Sequence, residues 1–261
     1  MKPLVVISRE NTASRTIMSA LFSLEKFEEE GERFWSCADF DVAEYSGSII
    51  EIVPAHDATY YVFASTHKSE SGKPCFTVHT PGNWGNADMG GSPQTLNTAM
   101  PGRLKAAAQK MKEMSGASLG WPVSIEVDHH GPTLSRPVMF AEIGSSEAEW
   151  SVPEAGAVVA QAIIAAIRQP CECPAYVGFG GTHYAPKFTP KIVDGDIALG
   201  HIVSGYSLEK YGVDESRILQ AMSKNEGKIE CALVDWKGIK GERRRQLVEL
   251  LDKMQVKWEK A

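Results

Sequence analysis

The feature that most limits how this chain can fold is the recurrence of short, continuous apolar runs separated by helical patterns. The runs are Leu4–Ile7, Ile49–Val53, Tyr60–Ala64, Cys75–His79, Val123–Asp128, Val138–Ile143, Ala175–Phe179, Ile197–Val203 and Ile229–Asp235. Several are apolar throughout instead of alternating, as in strands covered on both faces. Between them, apolar residues at helical spacing mark Ala13–Phe27, Leu104–Met114, Pro153–Arg168, Asp214–Ser223 and Gly241–Lys257. Ser92-Pro93 offers an N-cap and a proline at the first helical position, so a helix is expected to open there and to be interrupted at Pro101. Strands alternating with helices predict an α/β fold, a mixed and largely parallel sheet flanked by helices. No repeat or long linker divides the chain, so residues 1–261 are read as one catalytic domain. Gly31–Gly47 shows no clear pattern.

Composition narrows the class. The chain is 43% hydrophobic and 23% charged, as in globular proteins. Its 27 Lys+Arg against 33 Asp+Glu give a net charge of -6. That excludes a uniformly basic nucleic-acid coat and leaves a local patch open. No apolar run approaches the ~20 residues of a membrane span. The N-terminal apolar stretch is too short for a signal peptide and reads as a first buried strand. Five scattered cysteines fit reduced thiols and a cytoplasmic location. Cys171-Glu172-Cys173 lacks zinc-knuckle spacing and reads as a loop.

In open α/β sheets, ligands bind beyond the carboxyl ends of the strands. Four of the seven histidines fall at such ends: His79 before Pro81-Gly82-Asn83-Trp84, His129-His130 before Gly131-Pro132-Thr133, and His183 in Gly180-Gly181-Thr182-His183-Tyr184. Glu142 lies inside Val-Met-Phe-Ala-Glu-Ile, where burial demands a proton, a cation or a metal. His129, His130, Glu142 and His183 form a candidate zinc set with one position open for water. His129 and His130 can share an ion only where the strand ends beside them, because adjacent strand residues face opposite ways. A metal-free site with one His as general base is the other reading. Gly90-Gly91 before the expected helix offers backbone N–H groups to an anion, but no nucleotide-binding Gly-Lys-Ser/Thr motif and no Gly-x-Ser-x-Gly elbow is present. Lys187 and Lys191 follow His183-Tyr184 closely, where cations can contact phosphates.

Several blocks together resemble the archaeal/plant-type D-aminoacyl-tRNA deacylase family. They are His129-His130-Gly131-Pro132-Thr133, Phe140-Ala141-Glu142-Ile143-Gly144-Ser145 with Glu147 and Trp150, Phe63-Ala64-Ser65-x-His67-Lys68-Ser69-x-Ser71-Gly72, Thr77-Val78-His79 with Gly82-Asn83-Trp84, and Gly180-Gly181-x-His183-Tyr184-x-Pro186. Their order and approximate spacing match along nearly the whole chain. Asp128 departs from the family's Thr and Thr66 from its Lys. The resemblance implies a phosphorylase/hydrolase-like fold, zinc dependence, a cytoplasmic location, and hydrolysis of the ester joining a D-amino acid to the 3′ end of tRNA. On that reading His130, Thr133, Glu142 and His183 are the catalytic candidates, with Thr133 orienting the terminal ribose. Lys68, His79, Asn83, Trp84, Gly180, Gly181, Thr182, Tyr184 and Lys187 are the substrate-binding candidates. Backbone N–H groups of Gly180–Thr182 or Gly131 are expected to hold the oxyanion, and Lys68, Lys187 and Lys191 the phosphates. The chain is expected to act as a monomer on the acceptor end of aminoacylated tRNA. The residues alone also allow a phosphorylase-like enzyme or a metal-dependent hydrolase of a free small molecule; the negative net charge disfavours a noncatalytic RNA-binding module.

Overall fold

The computed structural model describes residues 1–261. In chain order the first elements are β1 (Leu4–Ser8), α1 (Thr12–Leu24), β2 (Glu28–Gly31), β3 (Phe34–Ser36), β4 (Asp41–Tyr45), β5 (Tyr61–Lys68), β6 (Cys75–His79), β7 (Gly82–Asn83) and β8 (Thr95–Leu96). There follow α2 (Pro101–Ala117), β9 (Val123–Ile125), β10 (Val138–Ser145), α3 (Glu147–Trp150), α4 (Pro153–Arg168) and β11 (Ala175–Phe179). The last are α5 (Thr189–Val193), β12 (Ala198–Val203), α6 (Gly205–Tyr211), α7 (Glu215–Ser223), β13 (Ile229–Val234), α8 (Gly241–Lys253) and β14 (Trp258–Lys260).

The expected mixed, largely parallel α/β architecture is present, and its strands divide between two main sheets and the short antiparallel pair β7-β8. The larger has eight strands in the order β2-β3-β4-β1-β5-β10-β6-β9. Its centre is parallel: β4, β1, β5 and β10 run together, while β6 is antiparallel to β10. The smaller sheet, β12-β11-β13-β14, is wholly parallel. Helix α2 packs on β6 of one sheet and β12 of the other. The largest group of mutually packed buried side chains accordingly holds Val5, Val62 and Ile143 together with Leu199, Ile202 and Leu233. Helix α4 explains its own burial, since nine of its residues, mostly Ala, Val and Ile, face the sheet or α1 and α2. Each fully buried Val or Ile contributes roughly 1.5–3 kcal/mol.

Local chemistry corrects several expectations. Pro101 does not interrupt a helix; it opens α2, where its missing N–H costs nothing. No helix starts at Ser92-Pro93, and the chain passes instead into the short strand β8. The apolar run Ile49–Val53 is not a strand either. It forms a turn, closed by the Glu51 N–H donating to the Ser48 carbonyl, that buries Ile49 and Ile52 over the end of the sheet. The unreadable Gly31–Gly47 completes a meander, β2-β3-β4, on the sheet edge. The expected strand Val123–Asp128 leaves its ladder after Ile125. The segment holding Cys171 and Cys173 is a loop, and all five cysteines are free. No helix is long and apolar enough to cross a membrane.

Gly90 and Gly91 have a packing role instead of the expected helix-start anion role. Both have positive φ, +81° and +78°, which L side chains rarely adopt. That lets their loop lie directly on Gly131, where an added Cβ would come within 2.3 Å of the Gly91 nitrogen. Gly131→Ala should therefore destabilise the protein by about 1–3 kcal/mol, the usual cost of overpacking; urea unfolding measures it, and a loss below a few tenths of a kcal/mol would show that the loop is free to move away.

Candidate active site

The site forms where the parallel strands of the larger sheet end. Glu142 lies near the end of β10, between Ser65 of β5 and Thr77 of β6 in register. Its Oε2 accepts a hydrogen bond from the Thr77 hydroxyl at 2.9 Å. Because β9 ends at Ile125, the chain beyond it turns Glu126 inward beside Glu142. His67 arrives from β5 and His79 from the end of β6. His183 arrives from the loop after β11, whose own carbonyl accepts from the Val127 N–H at 3.0 Å. The smaller sheet thus contributes directly to the cluster.

Glu126 is the hub. His183 Nε2 lies 2.8 Å and His67 Nδ1 3.0 Å from its Oε1, and His79 Nδ1 lies 3.3 Å from its Oε2. These nitrogens approach off the N–H direction, so neither Glu126 oxygen nor His79 Nδ1 has an aligned hydrogen bond. Burial alone would raise the Glu126 carboxyl, but His183, His67 and His79 outweigh it and hold the group well below the usual carboxylate range. Glu142 goes the other way. Burial first, and the Glu126 charge second, push it well above its ordinary value. Two carboxyls this close do not both ionise in a dry site, so Glu126 carries the charge and Glu142 the proton.

His129 and His130 face the same cluster because no regular strand holds them. His130 takes φ +46° and its ring centroid lies 4.3 Å from that of His129. His129 Nδ1 donates to the Val127 carbonyl at 2.8 Å and His130 Nδ1 to the Gly131 carbonyl at 2.6 Å. Both Nε2 atoms are thereby left as acceptors. Burial, followed by neighbouring imidazoles, pushes His129 well down and His130 down to about 3. Both rings are neutral at physiological pH.

The four sequence-predicted metal candidates, His129, His130, Glu142 and His183, line one cavity of about 480 Å³ together with His67 and Lys68. They do not form one ligand set. His129 and His130 group with His79, His183 groups with His67 and Glu126, and Glu142 groups with His79 and Glu126, each group with its ligand atoms within 4.8 Å. The donor set suits zinc. It offers neutral imidazoles whose far nitrogens are held by backbone carbonyls, a charged carboxylate, and buried oxygens that lack aligned partners.

The remaining candidates are placed as follows. His79 is fully buried behind His130, with Nε2 atoms 3.2 Å apart. Tyr184 Oη lies 2.9 Å from His67 Nε2 and donates to Ser69. Thr133 sits outside the cavity, its Oγ1 accepting from the Ser92 N–H at 2.8 Å. Asn83 ties the Gly90 and Ser92 carbonyls, and the Trp84 indole donates to the Gly212 carbonyl. Gly181, Thr182 and Lys187 line a separate cavity, and Lys191 belongs to α5. Of the amides expected to hold an oxyanion, those of Gly180–Thr182 or Gly131, the Gly180, Gly181 and Gly131 N–H groups are already engaged: they donate to the Val203, Gly238 and Met89 carbonyls.

Sequence reasoning missed Glu126 and left His67 outside the site residues. Glu126 carries the same signal as Glu142, an acid inside an apolar strand, Ser-Ile-Glu-Val. His67 stands at the end of a strand that runs past the Tyr60–Ala64 run into polar Ser65 and Thr66.

The inverted carboxyl pair fixes a pH dependence. Glu142 keeps a proton in the folded state that the unfolded chain releases above its ordinary value of 4.5. Stability therefore falls as pH rises from that value toward the raised one. Glu142→Gln removes this proton difference. Between about pH 5 and 7, with a chelator present, its unfolding free energy should lose up to about 1.4 kcal/mol per pH unit less than the parent's. Parallel urea-unfolding curves across that range would show that Glu142 ionises normally.

A family model described as D-aminoacyl-tRNA deacylase matches residues 54–259. The D-aminoacyl-tRNA deacylase of Pyrococcus furiosus is 40% identical over 194 residues, covering 74% of this chain and 70% of that protein. That of Methanocaldococcus jannaschii is 34% identical over 279 residues and covers 100% of both. The crystal structure of AF0625, a conserved protein of unknown function, superposes with a TM-score of 0.90 at 31% identity, over 99% of this chain and 95% of that one. The chain belongs to the D-aminoacyl-tRNA deacylase family.

Proposed function

We propose that this protein hydrolyses the ester between a D-amino acid and the 3′ end of tRNA, releasing the free D-amino acid and tRNA, and that it does so with zinc. The observation that carries the proposal is the pairing of one charged and one protonated carboxyl, ringed by five imidazoles, at the floor of a cavity open to solvent. Family membership supplies the substrate class.

An aminoacyl ester is activated relative to an amide, so a positioned water and a proton donor suffice. Water gives up a proton to the Nε2 of the neutral His129 imidazole, which lines the cavity, as its oxygen adds to the ester carbonyl carbon. The ribose oxygen leaves with a proton, for which Glu142 is the held donor. The Glu126 charge stabilises the imidazolium that forms, because the two lie in one dry cluster. Zinc held by His67, Glu126 and His183 would supply Lewis-acid polarisation of the ester and leave the His129 Nε2 free to take a proton. Lys68, at the cavity rim, meets the acceptor end. Selection for the D-enantiomer is steric, by a wall that the L side chain strikes, which predicts broad tolerance among D side chains. The cytoplasm, where charged tRNA is used, is the expected setting.

The test is release of labelled tyrosine from D- and L-tyrosyl-tRNA. The expected result is rapid release of D-tyrosine only, abolished by a chelator and restored by zinc; comparable release from the L-ester overturns the chiral reading, and indifference to the chelator overturns the zinc. Glu126→Gln should lower kcat by roughly 10²-fold or more, the scale of a lost acid–base or charge-stabilising group, and a near-normal kcat would remove Glu126 from the mechanism.

A further inference from the structure

The carboxyl ends of the smaller sheet enclose a second cavity, about 840 Å³ in volume. Gly181 and Thr182 reach it from the end of β11, Gly205 and Tyr206 from the end of β12, and Asp235, Lys237 and Gly238 from the end of β13. This is the position at which parallel α/β sheets take ligands. Its floor is backbone stacked on backbone. The Gly205 N–H donates to the Gly181 carbonyl at 2.9 Å, the Gly181 N–H donates to the Gly238 carbonyl at 3.2 Å, and a Cβ on Gly205 would lie 2.0 Å from the Gly238 oxygen.

Its rim is cationic in a chain whose net charge is -6. Lys187, Lys210, Lys237 and Lys240 surround it, against Glu209 and Asp235. Only Lys240 has a carboxylate partner, Glu209 at 3.5 Å. Asp235 is engaged by the Gly238 N–H at 3.0 Å. Just beyond the rim, the Trp236 ring lies between Arg244 and Lys260, 4.4 and 4.1 Å from its centroid. Three lysines without a carboxylate partner, with Lys240, Arg244 and Lys260 close by, suit a polyanion more than a lone phosphate.

The second cavity also abuts the first. Thr182 lines it, the next residue is His183 of the imidazole cluster, and His183 Nδ1 lies 3.3 Å from the hydroxyl of Tyr206, which is 49% exposed in the cavity wall. We infer that Lys187, Lys210, Lys237 and Lys240 bind the sugar–phosphate backbone of the tRNA acceptor end, placing the 3′ ester in the neighbouring cavity. The inference rests on the ester-hydrolysis reading for its substrate, and phosphate contacts of this kind set position and affinity without reading sequence.

The test compares the parent with the double variant Lys237→Ala/Lys240→Ala, with Lys210→Ala, and with Lys228→Ala as a control. Lys228 is exposed and lies outside both cavities. Removing two phosphate contacts should raise KM for D-tyrosyl-tRNA roughly tenfold and flatten the salt dependence of log(kcat/KM) by about 1 per lysine. The loss falls in KM, not in kcat. Lys210→Ala should shift both quantities in the same direction by about half as much, and Lys228→Ala should match the parent. Affinity for uncharged tRNA, measured across the same salt range, separates the two claims. If D-tyrosine is not released but tRNA binding weakens in the variants, the activity reading fails and the phosphate site stands. A double variant with the KM, affinity and salt slope of Lys228→Ala overturns the site, as does competition by AMP alone at the concentrations that tRNA requires.

Discussion

One buried charge organises this molecule. The Glu126 carboxylate lies out of reach of solvent, and its isolation there would cost several kcal/mol without compensation. Compensation comes from three imidazoles delivered by three separate parts of the fold, His67 from β5, His79 from β6 and His183 from the loop after β11. Satisfying the charge therefore requires the two sheets to be docked. The Val127 N–H to His183 carbonyl bond and the Asp128 N–H to Ile202 carbonyl bond join them through the backbone at the same place.

Burial sets the protonation around that charge, and the neighbours reinforce it. Burial and then the Glu126 charge keep Glu142 protonated, while burial and then the adjoining imidazoles keep His129 and His130 neutral. The outcome is a cluster holding proton acceptors and a proton donor side by side at neutral pH. Separating the two pKa values of a carboxyl pair is a general way to obtain an acid and a base from similar groups. Here the separation follows from register: Glu142 sits between Ser65 and Thr77 on a central strand, while Glu126 sits where β9 has just left the ladder.

Much of this was legible in the residues. Continuous apolar runs mark the parallel strands, and three of the four strand-end histidines, His129, His130 and His183, line one cavity, with His79 buried behind them. The unread parts have physical reasons. Apolar periodicity does not tell a strand from a buried turn, so Ile49–Val53 was read as a ladder when its isoleucines cap a core. A glycine pair before Ser-Pro looks like a helix start, yet the close approach to Gly131 decides its role, and that partner lies about forty residues away. Glu126 carries the same buried-acid signal as Glu142, but its inward turn depends on the hydrogen-bonded ladder stopping at Ile125 while the apolar run continues through Val127, which residue pattern does not show. Ligand grouping was beyond reach for a different reason. Which imidazoles share an ion depends on Å-scale placement of rings from four segments.

The two cavities share a wall but not a chemistry. The first is built from buried imidazoles around one charged and one protonated carboxyl. The second is built from solvated lysines over a rigid backbone floor, an environment suited to a charge that stays hydrated. A substrate with a small reactive ester at the end of a long polyanion needs both, and needs them adjacent. The His183–Tyr206 contact is where the two environments meet, and His183 alone belongs both to the loop after β11 and to the hub around Glu126.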